Sequence, residues 1–371
     1  MKSRLIYLTV IFCMILSLVP IAISATPIQA ATSHVYSGQS IQAAINAATA
    51  GDTIIVHDGT YNENIVISKS LTILSDNGST WTTINGTAGE DQPAVTIVAS
   101  DVAFGAEGQG FSVTHAWYNN SDPDNPQGGI GVAVVNEGAG ELTGISVQGN
   151  YIHDCGGGPG GGGMMLGNMG AGSLHGNTVS GNEVFNGNMG IVLVNMGAAI
   201  IYGNTVSGNT VHMNAIPIAL LNFDPGGEIY DNDISGNEVY DTGFGIMLSG
   251  MGGNISENVI SGNTAHDSLI GITLGEIAGF SGVNVYDNTV EGNETYDCGA
   301  GIVLSLEGSG SVYGNMVQDN TIHDMTPRDV TAGSGIALSK QGERRYHWQH
   351  AGREHGLQLR HRHRRQDLTA R

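Results

Sequence analysis

The chain has 371 residues and a formal net charge of −21, from 34 acidic and 13 basic side chains. That length fits one large domain or two ordinary ones. Such acidity excludes a nucleic-acid binder, whose phosphate contacts need Lys and Arg, and suits an extracellular setting.

Lys2 and Arg4 precede an apolar run from Leu5 to Ile23 and small residues ending at Ala30 and Ala31. This pattern predicts a signal peptide over 1–31, so a secreted or cell-surface protein. No later run approaches the ~20 apolar residues of a membrane-spanning helix, and the mature chain is expected to lack one. From Thr32 to Lys340 the only basic residues are Lys69, Arg328 and Lys340, and this span holds all but three of the acids.

Residues 40–48 predict a short amphipathic helix, with Ser40 as its cap and Ile41, Ala44, Ile45 and Ala48 on one face. Strands are expected at Thr53–Val56, Ile65–Ile67 and Leu71–Leu74 from their β-branched alternation. Residues 114–129, "THAWYNNSDPDNPQGG", interrupt the pattern and carry Trp117 and Tyr118 beside Asp122 and Asp124. Long insertions of this kind often carry function. Aromatics beside acids suit carbohydrate or calcium.

A repeat then takes over. Asn150, Asn182, Asn209, Asn237, Asn263 and Asn293 each follow Gly, and Asn320 follows Asp. A second Asn row runs five residues earlier, from Asn177 to Asn315. A Gly-Ile-x-Leu signal follows, as in Gly190–Leu193, Gly245–Leu248 and Gly301–Leu304. A period near 27 residues, with strand alternation and no helix pattern, predicts one coil of a solenoid per repeat. The expected fold is all-β: a right-handed parallel β-helix over 34–340, about ten to twelve coils, with the short helix capping its N-terminal end.

Coils stack at ~4.8 Å, so equivalent positions become columns. The Asn rows are expected at corners, where Asn tolerates left-handed φ and its amide bonds to the next coil's. One outward column reads His153, Phe185, His212, Tyr240, His266, Tyr296, His323. Its two readings are an aromatic stack stabilising one sheet, and a flat strip for sugar rings. His recurs only every second coil, ~9.6 Å apart, too far for shared metal ligation at ~2.0–2.1 Å. The next column contains Asp241, Asp267, Asp297 and Asp324 on successive coils. These acids read either as corner residues bonding to backbone or as a calcium site; no cofactor is required. Cys155 and Cys298 share a column five coils apart, ~24 Å, too far for a disulfide. The Gly-Ile-x-Leu strands should turn Met165, Val192, Ala219, Met247, Thr273, Val303 and Ala337 outward as an exposed apolar stripe.

The N-terminal stretch 40–78 resembles the entry of the pectate-lyase-like β-helix superfamily. The Asn-x-Val-x-x-Asn and Gly-Ile-x-Leu repeats are similar to its NosD-like group, with PbH1-type repeats. The resemblance implies lyases that combine calcium-binding acids with a basic proton abstractor. This chain has no Lys or Arg between Lys69 and Arg328. The expectation is therefore a non-catalytic binder of an extracellular polysaccharide or cell-envelope polymer. The candidate contacts are Trp117, Tyr118, His212, Tyr240, His266, Tyr296 and His323. The alternatives are a polysaccharide hydrolase or lyase, and a purely structural envelope component.

Residues 341–371 break the pattern in mid-coil, with eight Arg against three acids and no Asn. They read as a disordered basic tail, and the abrupt change points to a shifted reading frame.

Overall fold

A computed structural model describes residues 30–87, 92–115, 129–156, 161–276, 282–306, 308–327, 333–340 and 357–358. The chain divides into two units, Met1–Ala30 and Ala31–Arg371; the second is described here. Trp117, Tyr118, the signal-peptide residues through 29 and most of the tail lie outside the described residues. No helix among the described residues is long and apolar enough to cross a membrane.

The second unit is an all-β parallel solenoid of about eight turns. Its strands form sheets of 12, 18 and 7 members. The pairing is parallel throughout, except that Leu357–Gln358 lies antiparallel to Met316–Gln318. One turn shows the plan. Ile200–Tyr202 lies in the third sheet and Thr205–Ser207 in the first. Thr210–Asn222 forms a 13-residue strand of the second sheet before Glu228–Tyr230 returns to the third. In most turns the second-sheet segment splits in two, as at Glu238–Tyr240 and Phe244–Gly250.

Alternation fills the interior. Ile201, Val206, Val211, Ile218 and Leu220 of that turn are all fully buried, in register with Ile229, Ile234, Val239, Ile246 and Leu248 of the next. Each such side chain contributes roughly 1.5–3 kcal/mol on burial. One turn cannot enclose these residues alone, which is why the sequence repeats.

The Asn rows do stand at the corners, buried, but the left-handed backbone belongs to the residue before each one. Gly203 and Gly208 both have φ 61°, and Asp231 has φ 55°. The Asn is spared for bonding. Asn209 Oδ1 accepts from both the backbone N–H and the amide of Asn182, each at 3.0 Å. The Asn209 amide donates to Asn237 Oδ1 at 2.9 Å and to the Val179 carbonyl at 3.0 Å. The corner N–H groups from Asn150 to Asn293 are thereby satisfied by the following coil, where an unpaired one would cost about 1–3 kcal/mol.

The Gly of Gly-Ile-x-Leu has a steric cause. A Cβ on Gly245 would lie 2.0 Å from the Gly271 carbonyl oxygen of the next coil.

At the N-terminal end, helix Ile41–Ala47 is capped by Ser40, whose side chain accepts from Ala43 N–H. Glu63 accepts from the Ile41 and Gln42 N–H groups at 2.7 and 3.2 Å. Lys69 Nζ donates to the carbonyls of Ile45, Asn46 and Ala48 at 3.0, 2.8 and 2.7 Å. A carboxylate at the helix start and an ammonium at its end both complement the helix dipole.

One expectation fails. The outward residues Val192, Ala219, Met247 and Thr273 are buried, not exposed. Val192, Ala219 and Met247 join Val194 and Leu221 in a second apolar cluster, against which Met165, Met189, Ile216 and Phe223 pack. Alternation fixes which face a side chain takes; it does not say whether that face is open.

Candidate functional site

The outward column of the second sheet is a continuous ladder of rings. His153, Phe185, His212, Tyr240, His266, Tyr296 and His323 stack with successive centroids 5.3, 4.9, 4.7, 5.1, 4.7 and 5.3 Å apart. Adjacent planes differ by no more than 11°. Parallel registration of one coil on the next produces this directly, as His212↔Tyr240 and Tyr240↔His266 show. Each ring inside the ladder covers its neighbour's face. A sugar approaching from solvent meets ring edges, with their N–H and O–H groups, rather than the flat strip that stacking requires.

A second column, two residues earlier, is absent from the sequence reading. It runs Ser112, Tyr151, Glu183, Thr210, Glu238, Thr264, Glu294, Thr321. From Glu183 onward it alternates with the rings: Glu-x-aromatic on one coil, Thr-x-His on the next. Each Glu reaches the His one coil on. Glu183 Oε1 lies 3.3 Å from His212 Nε2, Glu238 Oε1 3.6 Å from His266 Nε2, and Glu294 Oε1 3.1 Å from His323 Nε2. The signal was in the sequence as a two-coil period, legible only after the coils are superposed.

The Asp column lies on the other side of the rings. Asp154, Asp241, Asp267, Asp297 and Asp324 all have left-handed backbone, with φ between 49° and 53°. Asn186 and Met213 share it at 55°. This is the corner role expected of a short polar residue. The carboxylates also bond sideways. His153 Nδ1, His266 Nδ1 and His323 Nδ1 lie 2.7, 2.9 and 2.8 Å from Asp154, Asp267 and Asp324 Oδ2. Among the described residues no cluster of three or more His, Cys, Asp or Glu is arranged to hold a metal ion. Asp267 and Asp324 are turned toward imidazoles, a poor fit to a shared calcium ion, which needs six to eight oxygens.

Electrostatics differ along the ladder. His323 is flanked by two carboxylates, and the bonds to Asp324 and then Glu294 raise its pKa above the usual imidazole value. The hydrogen bond from His153 holds the Asp154 carboxyl below the usual range, with Asn186 adding to it. Burial pushes the Tyr240 phenol up, helped by Glu183, Glu238 and Asp241, so it remains a neutral donor. At the far end of the ladder His153 Nε2 lies 3.1 Å from Ser112 Oγ. The inward Cys155 and Cys298 are buried and form no disulfide, and burial pushes Cys155 up to about 12.

Neither a protein-family model nor a curated protein matches the chain. Solved structures do. The polygalacturonase from Erwinia carotovora ssp. carotovora superposes with TM-score 0.54 at 12% identity, covering 87% of this chain and 95% of that one. The enzymatically active domain of bacteriophage CBA120 tailspike protein 2 gives TM-score 0.50 at 12% identity, covering 80% of this chain and 43% of that one. ORF18 of Geobacillus virus E2 gives 0.45 at 14% identity, and this chain spans 57% of its length. The likeness to the polygalacturonase and the tailspike domain is one of fold, and the fold of this chain is a parallel β-helix.

Proposed function

We propose that this protein is a secreted β-helix that hydrolyses an extracellular polysaccharide laid along the outer face of its second sheet. One observation carries the reading: Glu183, Glu238 and Glu294 line that face every second coil, each side chain about half exposed, beside Tyr and His edges that can bond sugar hydroxyls. Glu238 and Glu294 stand two coils apart, about 9.6 Å by strand spacing. That is the long end of the carboxyl separation of inverting glycosidases, which leaves room for a water. In such a pair the protonated member gives its proton to the glycosidic oxygen, and the ionised one activates the water. A lyase fits less well, because Lys69 is committed to the helix end and no Lys or Arg lies between it and Arg328. The same lack of cations disfavours an acidic polymer, so the preferred substrate is a neutral glycan or one bearing amino sugars.

A second reading is binding without cleavage. The Glu183, Glu238 and Glu294 carboxylates already stand beside His212, His266 and His323, which occupy part of their surface. The signal peptide over 1–31 supports export. The Gly-Asn and Gly-Ile-x-Leu rows support placement with NosD-like, PbH1-type repeats. The N-terminal strands that pair only in the first and second sheets support further coils beyond the eight turns, up to ten to twelve, and the entry of Ile41 and Ile45 into the core supports helix Ile41–Ala47 as the cap of the first.

Incubation with a panel of neutral, amino-sugar and acidic polysaccharides tests the proposal. Released reducing sugar, reduced at least ~100-fold in Glu238→Gln or Glu294→Gln, supports hydrolysis. Retention without product favours the binder. Neither product nor retention leaves a structural envelope component and overturns both.

A further inference from the structure

The first step of the ladder differs from every later one in a way that changes its chemistry. Where later coils place Glu183, Glu238 or Glu294 against the next coil's His, this one places Ser112. Ser112 Oγ lies 3.1 Å from His153 Nε2, and His153 Nδ1 lies 2.7 Å from Asp154 Oδ2. The protons can be assigned by elimination. An ionised carboxylate only accepts, so Nδ1 carries a hydrogen and donates it to Asp154. In the neutral imidazole Nε2 then accepts, and the Ser112 hydroxyl donates to it. Asp154 stays ionised, since its carboxyl sits below the usual range.

We propose that Ser112, His153 and Asp154 form a nucleophile–base–orienter set that cleaves small acyl esters, such as O-acetyl groups on a glycan. The roles are those of Ser-His-Asp sites generally, which are recognised by geometry and not by chain order. Ser112 Oγ attacks the ester carbonyl carbon as its proton passes to His153 Nε2. The tetrahedral intermediate collapses, the alcohol leaves with that proton, and an acyl group stays on Ser112. Water, deprotonated by His153, then attacks the acyl-serine, releases the carboxylic acid and restores the Ser112 hydroxyl. Asp154 holds the imidazole tautomer and balances the imidazolium that forms twice.

The surroundings support access from the outer face. Val113 points inward and is fully buried, so Ser112 and Thr114 point outward, with Ser112 at 8% exposure. Thr83 and Asn85 of the preceding coil stand in register with them, as polar neighbours for an acyl group. Asp154 keeps half of its side chain open to water. The repeats provide an internal comparison. His323 has a carboxylate within bonding distance of each ring nitrogen, whereas His153 has a carboxylate on one side and a hydroxyl on the other and can act as a base.

The test uses the full secreted chain with p-nitrophenyl acetate and a fluorophosphonate probe. Turnover should be measurable in the unmodified chain. It should fall at least ~100-fold in Ser112→Ala, His153→Ala and Asp154→Asn, with the probe's adduct on Ser112. Ser180→Ala, an outward serine of the first sheet, should change neither. Turnover that persists in Ser112→Ala overturns the proposal, as does absence of both turnover and adduct in the unmodified chain. Turnover that depends on Ser112 without probe labelling supports it, since the probe is bulkier than acetate. Circular dichroism separates a folded inactive variant from an unfolded one. None of these readouts depends on glycosidic cleavage, so this proposal and the hydrolase reading stand or fall separately.

Discussion

His153 and His323 occupy the same column at opposite ends of one ladder, each stacked on one aromatic ring, Phe185 and Tyr296 respectively, and each followed by an Asp. Their hydrogen-bond partners differ at one nitrogen. His153 Nε2 faces the Ser112 hydroxyl at 3.1 Å, and His323 Nε2 faces the Glu294 carboxylate at 3.1 Å. Two carboxylates require two donors, so His323 is drawn toward the imidazolium form and becomes part of an ion network. A carboxylate and a hydroxyl are satisfied by the neutral ring. A repeat fold holds geometry constant and lets a single column position decide between charge storage and base chemistry.

The comparison rests on the coil-to-coil register, and breaking the register should have the largest effect. Asn237→Ala removes the acceptor of the Asn209 N–H and amide, at 3.0 and 2.9 Å, in a buried corner. The expected loss is roughly 2–5 kcal/mol, since each orphaned buried donor costs about 1–3 kcal/mol; the midpoint of urea unfolding measures it.

Next comes Met213, which sits where the other ladder coils have Asp or Asn and has φ 55°. Met213→Asp and Met213→Asn should each gain about 1 kcal/mol by relieving left-handed strain, read as a higher urea midpoint.

Smaller still is Glu294→Ser, which converts the His323 end into a copy of the His153 end. The raised folded pKa of His323 contributes stability fully present below the unfolded imidazole value, ~6.5. That contribution is lost as pH rises through the folded value. The substitution should therefore destabilise by a few tenths of a kcal/mol near pH 5, as for exposed pairs, and by nothing measurable near pH 9. The His323 pKa should fall toward the ordinary value, and a destabilisation that grew with pH would contradict this sign.

The least change is expected of the thiols. With Cys155 pushed up to about 12, alkylating reagents at pH 8 should leave it unmodified in the folded chain and react only after denaturation.

Much of this was legible in the chain. Helix residues 40–48, the strands at 53–56 and 65–67, both Asn rows, the ring column and the separated thiols follow from period and alternation. The Asp column also stood out, because Asp recurs at one repeat position. The Glu column did not, because it is interrupted by Thr on every second coil and shows itself only across two repeats. Ser112 was invisible for a different reason: it lies before the regular Gly-Asn rows begin, and its link to His153 spans an insertion that disturbs the period.

The amino-acid sequence by itself determined the solenoid, its columns and the sign of its surface charge. These depend on local periodicity and composition, which any one repeat displays. The tertiary structure decided which residue of each corner takes the left-handed backbone, and that ring faces are consumed by neighbouring rings. It also decided that the Met247 stripe is covered and that a hydroxyl, not a carboxylate, meets His153. Each of these depends on what lies one coil away, and that neighbour is fixed only when the coils stack.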